Sequence, residues 1–176
     1  MRLFFALWPD AQTRERLATI AAGLSLAADA RWVPRENYHL TLAFVGEIDD
    51  SQLQAMRRLG NAQRMARLAL QIDTYEYWPK PEVIVAAVRH IPDDLEKIWR
   101  ALHEELAACQ LSLQPKSLRP HVTLARNVSQ APVLPAMSGF EWCASSFSLV
   151  RSDLGTMRSV YTVLDTWPLL YDSSNP

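Results

Sequence analysis

The chain has 176 residues, 49% of them hydrophobic and 21% charged, with 18 Lys plus Arg against 19 Asp plus Glu and a formal net charge of −1. That length suits one α/β (α+β) domain with a sizeable core. The charge excludes a protein that coats long nucleic acid by neutralising many phosphates, because that mode needs a broad basic surface; a small anionic ligand or a chain end fits.

The opening run Arg2 to Trp8 reads as a buried strand, broken by Pro9-Asp10 ahead of a helix from Asp10 to Ala28 with Leu17, Ile20, Ala21 and Leu24 at helical spacing. A linker through Arg31-Trp32-Val33-Pro34 leads to a strand over Tyr38 to Val45, closed by Gly46. Asp50 or Ser51 is the expected cap of a second helix running to Asn61. Two strands follow, Ala66 to Trp78 and Val83 to Arg89, joined by the turn-like Pro79-Lys80-Pro81-Glu82. Asp93-Asp94 opens a third helix to Cys109, with one apolar stripe of Leu95, Ile98, Trp99, Leu102 and Leu106. Pro120 to Arg126 reads as a strand, and after a Pro-rich loop two more are expected at Ser145 to Asp153 and Ser159 to Asp165.

No apolar stretch approaches the ~18 residues of a membrane helix. The two cysteines, Cys109 and Cys143, fit neither a metal-like CxxC spacing nor a disulfide framework. The expected setting is the cytoplasm, with no export signal, no membrane anchor and a monomeric chain.

Within this frame, His39-Leu40-Thr41-Leu42 returns as His121-Val122-Thr123-Leu124. In a strand, residues i and i+2 share a face, so each copy points an imidazole and a hydroxyl one way and two aliphatic side chains the other. A strand and a helix precede each copy, which predicts two similar lobes in one domain over 1–176, each lending one motif strand to a shared groove. Imidazole both takes and gives a proton near neutrality. Two of them across a groove suit in-line displacement at phosphorus, with the threonine hydroxyls donating to non-bridging oxygens and no metal required.

A single His-x-Thr is ordinarily a structural feature; a second in matching context reverses that reading. His90 and His103 offer no H-E-x-x-H or Cys/His cluster, so they read as a loop residue and a helix-flank residue rather than zinc ligands. The five glycines form neither a dinucleotide fingerprint nor a Walker loop, and there is no Gly-x-Ser-x-Gly elbow. Arg126 can reach a phosphate from its strand end. Arg119, Lys116, Arg151 and Arg158 together make the second half locally basic, enough to steer RNA termini. Trp32, Phe44, Trp78 and Tyr161 are candidates for base stacking.

At this point the chain resembles the 2H phosphoesterase superfamily and, within it, the bacterial RNA 2′,3′-cyclic phosphodiesterases, also called 2′-5′ RNA ligases. The likeness rests on Arg2-Leu3-Phe4-Phe5-Ala6-Leu7, on Asn37 to Glu47, on Arg119 to Arg126 and on Tyr161-Thr162-Val163-Leu164. It implies a bilobal fold with two antiparallel sheets facing a central cleft, helices outside, and hydrolysis of RNA 2′,3′-cyclic phosphate ends to 2′-phosphomonoesters without metal or other cofactor. It also implies His39 as proton donor to the departing 3′ oxygen and His121 as proton acceptor from water. Thr41 and Thr123 would hold the phosphate with Arg126 assisting, and the partners would be RNA ends or nucleoside 2′,3′-cyclic phosphates. Some members join or cut 2′-5′ linkages by the same displacement. The stretch Gly155 to Tyr161 departs from the small-residue turn of relatives. A two-histidine pair predicts a bell-shaped pH profile bracketing neutrality. The competing reading is a module that binds a 2′-phosphate or RNA end without turnover.

Overall fold

The computed structural model describes residues 1–109, 117–155 and 159–170. Lys116, Thr156, Met157 and Arg158 of the sequence analysis lie outside the described residues. Three helices pack on an antiparallel sheet: β1 (Arg2–Leu7), α1 (Ala11–Ala22), β2 (Arg31–Trp32), β3 (Leu40–Glu47), α2 (Asp50–Ala62), β4 (Leu68–Trp78), β5 (Val83–Val88), α3 (Asp93–Ala108), β6 (His121–Arg126), β7 (Phe140–Ala144), β8 (Ser146–Leu154) and β9 (Ser159–Pro168).

Strand order is β7-β4-β5-β6-β3-β1-β8-β9, with β2 beside β6. The family resemblance implies two antiparallel sheets facing a cleft; the structure has one hydrogen-bonded order that narrows to a single paired position, Leu40↔Val122, between β3 and β6. The reason is packing. Leu40 and Val122, the middle residues of the two motifs, are both fully buried in the same core, so the motif strands must run side by side.

The inner strands have two apolar faces. On β1, Leu3, Phe5 and Leu7 enter the main core, while Phe4 and Ala6 pack with Val150, Trp8 and Tyr161 on the other side. On β5, Ile84, Ala86 and Val88 face the core and Val83, Val85 and Ala87 pack with Trp78. A strand buried on both faces reads as a continuous apolar run, as β1 and β5 do.

Local chemistry corrects several boundaries. The first helix stops at Gly23, whose N–H donates to the Ala21 carbonyl, well short of Ala28. Asp49, rather than Asp50 or Ser51, caps α2: its carboxylate accepts from Gln52 N–H while the Gln52 side chain accepts from Asp49 N–H. Two short strands, β2 in the expected linker and β7 after the Pro-rich loop, owe their state to their neighbours β6 and β4, a non-local cause that periodicity does not register.

Gly60 of α2 lies against the Trp167 ring, which stacks on Phe147 at 5.2 Å and whose indole N–H donates to Asn61 Oδ1 at 2.7 Å. A methyl group there would overlap the Trp167 ring. Alanine favours a helix by about 1 kcal/mol, but overpacking a pinned ring costs about 1–3 kcal/mol. Gly60→Ala is therefore expected to lower the urea midpoint, and a raised midpoint would show that Trp167 moves aside freely.

Candidate active site

The seam builds the site. With Leu40 opposite Val122 in an antiparallel pair, the flanking positions set His39 across from Thr123 and Thr41 across from His121. All four lie on the face opposite the buried Leu40 and Val122. His121 opens β6, whereas His39 lies one residue before β3, after a short helical turn over Arg35–Asn37.

The repeat extends one residue further than the tetrapeptide, to His-x-Thr-Leu-Ala, and is followed by Phe44 in one copy and Arg126 in the other. Strict alternation would put that last residue on the core face. Each motif strand instead carries a bulge: Thr41 pairs with Ala6 and Ala43 with Phe5, leaving Leu42 extra, while Thr123 pairs with Val85 and Ala125 with Ile84, leaving Leu124 extra. Leu42-Ala43 and Leu124-Ala125 are all buried in the core. The bulge returns Phe44 and Arg126 to the site face, opposite Phe4 and Val83. Two equivalent positions thus hold an aromatic ring in one half and a cation in the other.

Both imidazoles are oriented alike. His39 Nδ1 lies 2.7 Å from the Asn37 carbonyl and His121 Nδ1 lies 2.6 Å from the Arg119 carbonyl. A carbonyl only accepts, so Nδ1 carries the proton and donates in each case. Nε2 is left in each ring for proton transfer.

Their surroundings differ. His39 stacks on Trp8 (centroids 5.3 Å, 6° between planes), with Phe4 at 4.9 Å and Tyr161 edge-on at 5.1 Å. His121 packs on Trp78 at 4.4 Å, and Glu76 accepts from Trp78 Nε1 at 2.7 Å and from Arg119 at 2.6 Å, with the Arg119 guanidinium 4.1 Å from the Trp78 ring centre. Burial pushes the His39 imidazole down to about 4, helped by Arg126 and His121 and opposed by the bond to Asn37. Burial also lowers His121, with Arg119 and Arg126 adding to it and the Arg119 carbonyl and Glu76 opposing it.

A cleft of about 220 Å³ opens over this face, lined by Arg31, Trp32, Asn37, His39, Thr123, Arg126 and Tyr161 among others. Of the stacking candidates, Trp32, Phe44 and Tyr161 face solvent or the cleft, Phe44 being 67% exposed; Trp78 is engaged beneath His121. Arg119 and Arg151 do not form the expected open basic surface, because Glu76 and Asp153 pair with them at 2.6 and 2.8 Å. Tyr38 turns into the main core, away from the site. His103 Nδ1–H donates to the Trp99 carbonyl at 2.8 Å and packs on the Trp99 ring, and His90 is exposed.

The sequence analysis missed Trp8, Glu76 and Arg31 as site residues. One signal was present for Trp8: Trp-Pro closes strands at Trp8-Pro9 and Trp78-Pro79, and each indole underlies a histidine. Among the described residues no group of three or more His, Cys, Asp or Glu is placed to hold a metal ion, and no helix is long and apolar enough to cross a membrane.

The sequence description of the LigT like Phosphoesterase family matches residues 7–85. The RNA 2′,3′-cyclic phosphodiesterase of Escherichia coli (strain K12) is 31% identical over 170 residues, covering 96% of each chain. That of Thermus thermophilus is 33% identical and covers 96% of this chain and 90% of the relative. The fold superposes on E. coli LigT complexed with 3′-AMP with a TM-score of 0.88 at 29% identity, over 96% of this chain and 97% of that one.

Proposed function

Because the chain belongs to the LigT-like phosphoesterase family, we propose that it hydrolyses RNA 2′,3′-cyclic phosphate ends to 2′-phosphomonoesters, using two histidines as acid and base. The carrying observation is the Leu40↔Val122 pair, which gathers two imidazoles and two threonine hydroxyls from distant segments on one face. His121 Nε2 takes a proton from water as its oxygen bonds to phosphorus. The bond from phosphorus to O3′ breaks, and His39 Nε2–H gives its proton to O3′. Water is consumed, a 3′-hydroxyl is released, and proton exchange with solvent resets the pair. Thr41 and Thr123 donate to the non-bridging oxygens, and Arg126 balances their charge.

The unlike surroundings support this division of roles. A strongly depressed imidazolium is the stronger proton donor, which favours His39; Glu76 opposes the depression at His121 and makes it the better acceptor. Phe44 and Tyr161 offer rings for the base. The reading takes the chain as one domain of two pseudo-symmetric lobes, a cytoplasmic monomer needing no metal or other cofactor. A ribose hydroxyl in place of water would make or break a 2′-5′ linkage.

The test is incubation with a nucleoside 2′,3′-cyclic phosphate in EDTA. Release of the 2′-monophosphate is expected. Tight binding without product would mark a binding module instead, and loss of turnover only on chelation would mark a metal enzyme.

Burial also moves the pH expectation away from a bell centred on neutrality. kcat/KM reads the free protein, where both imidazoles lie below 6.5 and His39 is near 4. Both limbs, which belong to the coupled pair, should fall on the acid side, with kcat/KM declining as pH rises through neutrality. A bound phosphodiester anion favours the charged imidazolium and raises both values, so the kcat optimum should lie at higher pH. Superimposable profiles with both limbs above 6.5 would contradict this.

A further inference from the structure

The two-residue strand β2 carries an electrostatic anomaly. Arg31 sits directly opposite Arg126 in the β2–β6 pairing, and like charges placed so repel each other. Among the described residues no carboxylate forms a salt bridge with either guanidinium, whereas Arg119 and Arg151 each have one. Both arginines line the cleft that holds His39 and Thr123.

One reacting phosphate accounts for one of them, since a single guanidinium forks onto a phosphate bidentately. Arg31, Trp32, Val33 and Pro34 line the same cleft as Arg126, and Trp32 is 45% exposed. The same stretch of chain then runs on to His39, so this wall and the reacting centre are covalently close. The Val33 N–H donates to the Leu124 carbonyl at 2.9 Å and ties the wall to the second motif strand.

We infer that Arg31 and the β2 wall of the cleft form a second anion subsite, which takes the phosphate on the 5′ oxygen of the terminal nucleotide. The nucleotide whose 3′ side carries the cyclic phosphate has its nearest other phosphate there. This rests on the proposed function and deepens it: the substrate is recognised as a chain end rather than as a cyclic mononucleotide. The subsite's chemistry is a phosphate oxygen pair, supplied by an internucleotide phosphodiester or by a 5′-monophosphate.

The experiment compares three substrates: a nucleoside 2′,3′-cyclic phosphate, the same compound carrying a 5′-phosphate, and a dinucleotide ending in the cyclic phosphate. For the unaltered protein, a second phosphate is expected to raise kcat/KM about tenfold at low salt, mainly through KM, with the gain shrinking as salt rises. Arg31→Ala should remove most of that gain and Arg31→Lys should keep part of it. A gain for the dinucleotide alone assigns the subsite to the internucleotide phosphodiester; a gain for both assigns it to phosphate in general. Hydrolysis of all three substrates with no preference, or a preference unchanged in Arg31→Ala, overturns the subsite alone. Hydrolysis of none overturns the proposed function and the subsite with it.

Discussion

Alanine at His39 or at His121 is expected to lower kcat/KM on a nucleoside 2′,3′-cyclic phosphate by about 10²–10⁴, the contribution of a positioned acid or base. The two losses should not add in the double variant, because the groups act on one displacement. The bell should also lose a limb in each single variant and become a simple titration of the remaining imidazole. His39 is wedged among Trp8, Phe4 and Tyr161, so His39→Ala leaves a gap under the cleft. His39→Gln, closer in volume and unable to titrate, separates lost chemistry from lost packing: it should be as slow as alanine while unfolding at nearly the native urea concentration. Full activity in either alanine variant would refute the two-histidine mechanism.

Arg126→Ala is expected to cost about 10²–10³ in kcat, the range for removing one preorganised donor from a developing oxyanion. It carries a second signature. Arg126 depresses both imidazoles, so its removal should shift both limbs of the kcat/KM profile to higher pH, with the sign set by the lost positive charge. A solvated strand-end arginine would alter neither kcat nor the limbs. Arg126→Lys should restore the limbs more fully than the rate, because an ammonium keeps the charge but not the forked geometry. An unchanged kcat in Arg126→Ala would remove it from the reaction.

Much of this site was legible in the one-dimensional pattern because it depends on local rules. Alternation along a strand puts the imidazole and hydroxyl of His-x-Thr on one face whatever the rest of the chain does. The apolar stripe of Leu95, Ile98, Trp99, Leu102 and Leu106 specifies α3 by the same kind of reasoning; all of it is buried except Trp99, which is half-buried against His103. The failures have a common cause. Arg119 looks like a free cation in the sequence, yet Glu76, far away along the chain, pairs with it. Arg31-Trp32 has the composition of a linker, yet β6 recruits it as a strand. Phe44 and Arg126 were site candidates in the sequence and do reach the site face, but by bulges at Leu42 and Leu124 that strict alternation does not supply.

The sequence by itself therefore determined which groups are available for chemistry: His39, Thr41, His121 and Thr123, each presented by a strand whose other face is aliphatic. Tertiary structure alone decided that they meet, through the pairing of Leu40 with Val122, and that they differ, through an aromatic cage at His39 and a Glu76–Arg119–Trp78 support at His121. The physical reason is range. Backbone alternation and helical periodicity act over a few residues and are written in the chain, whereas strand pairing, desolvation and charge neutralisation depend on which distant segments the shared core brings into contact.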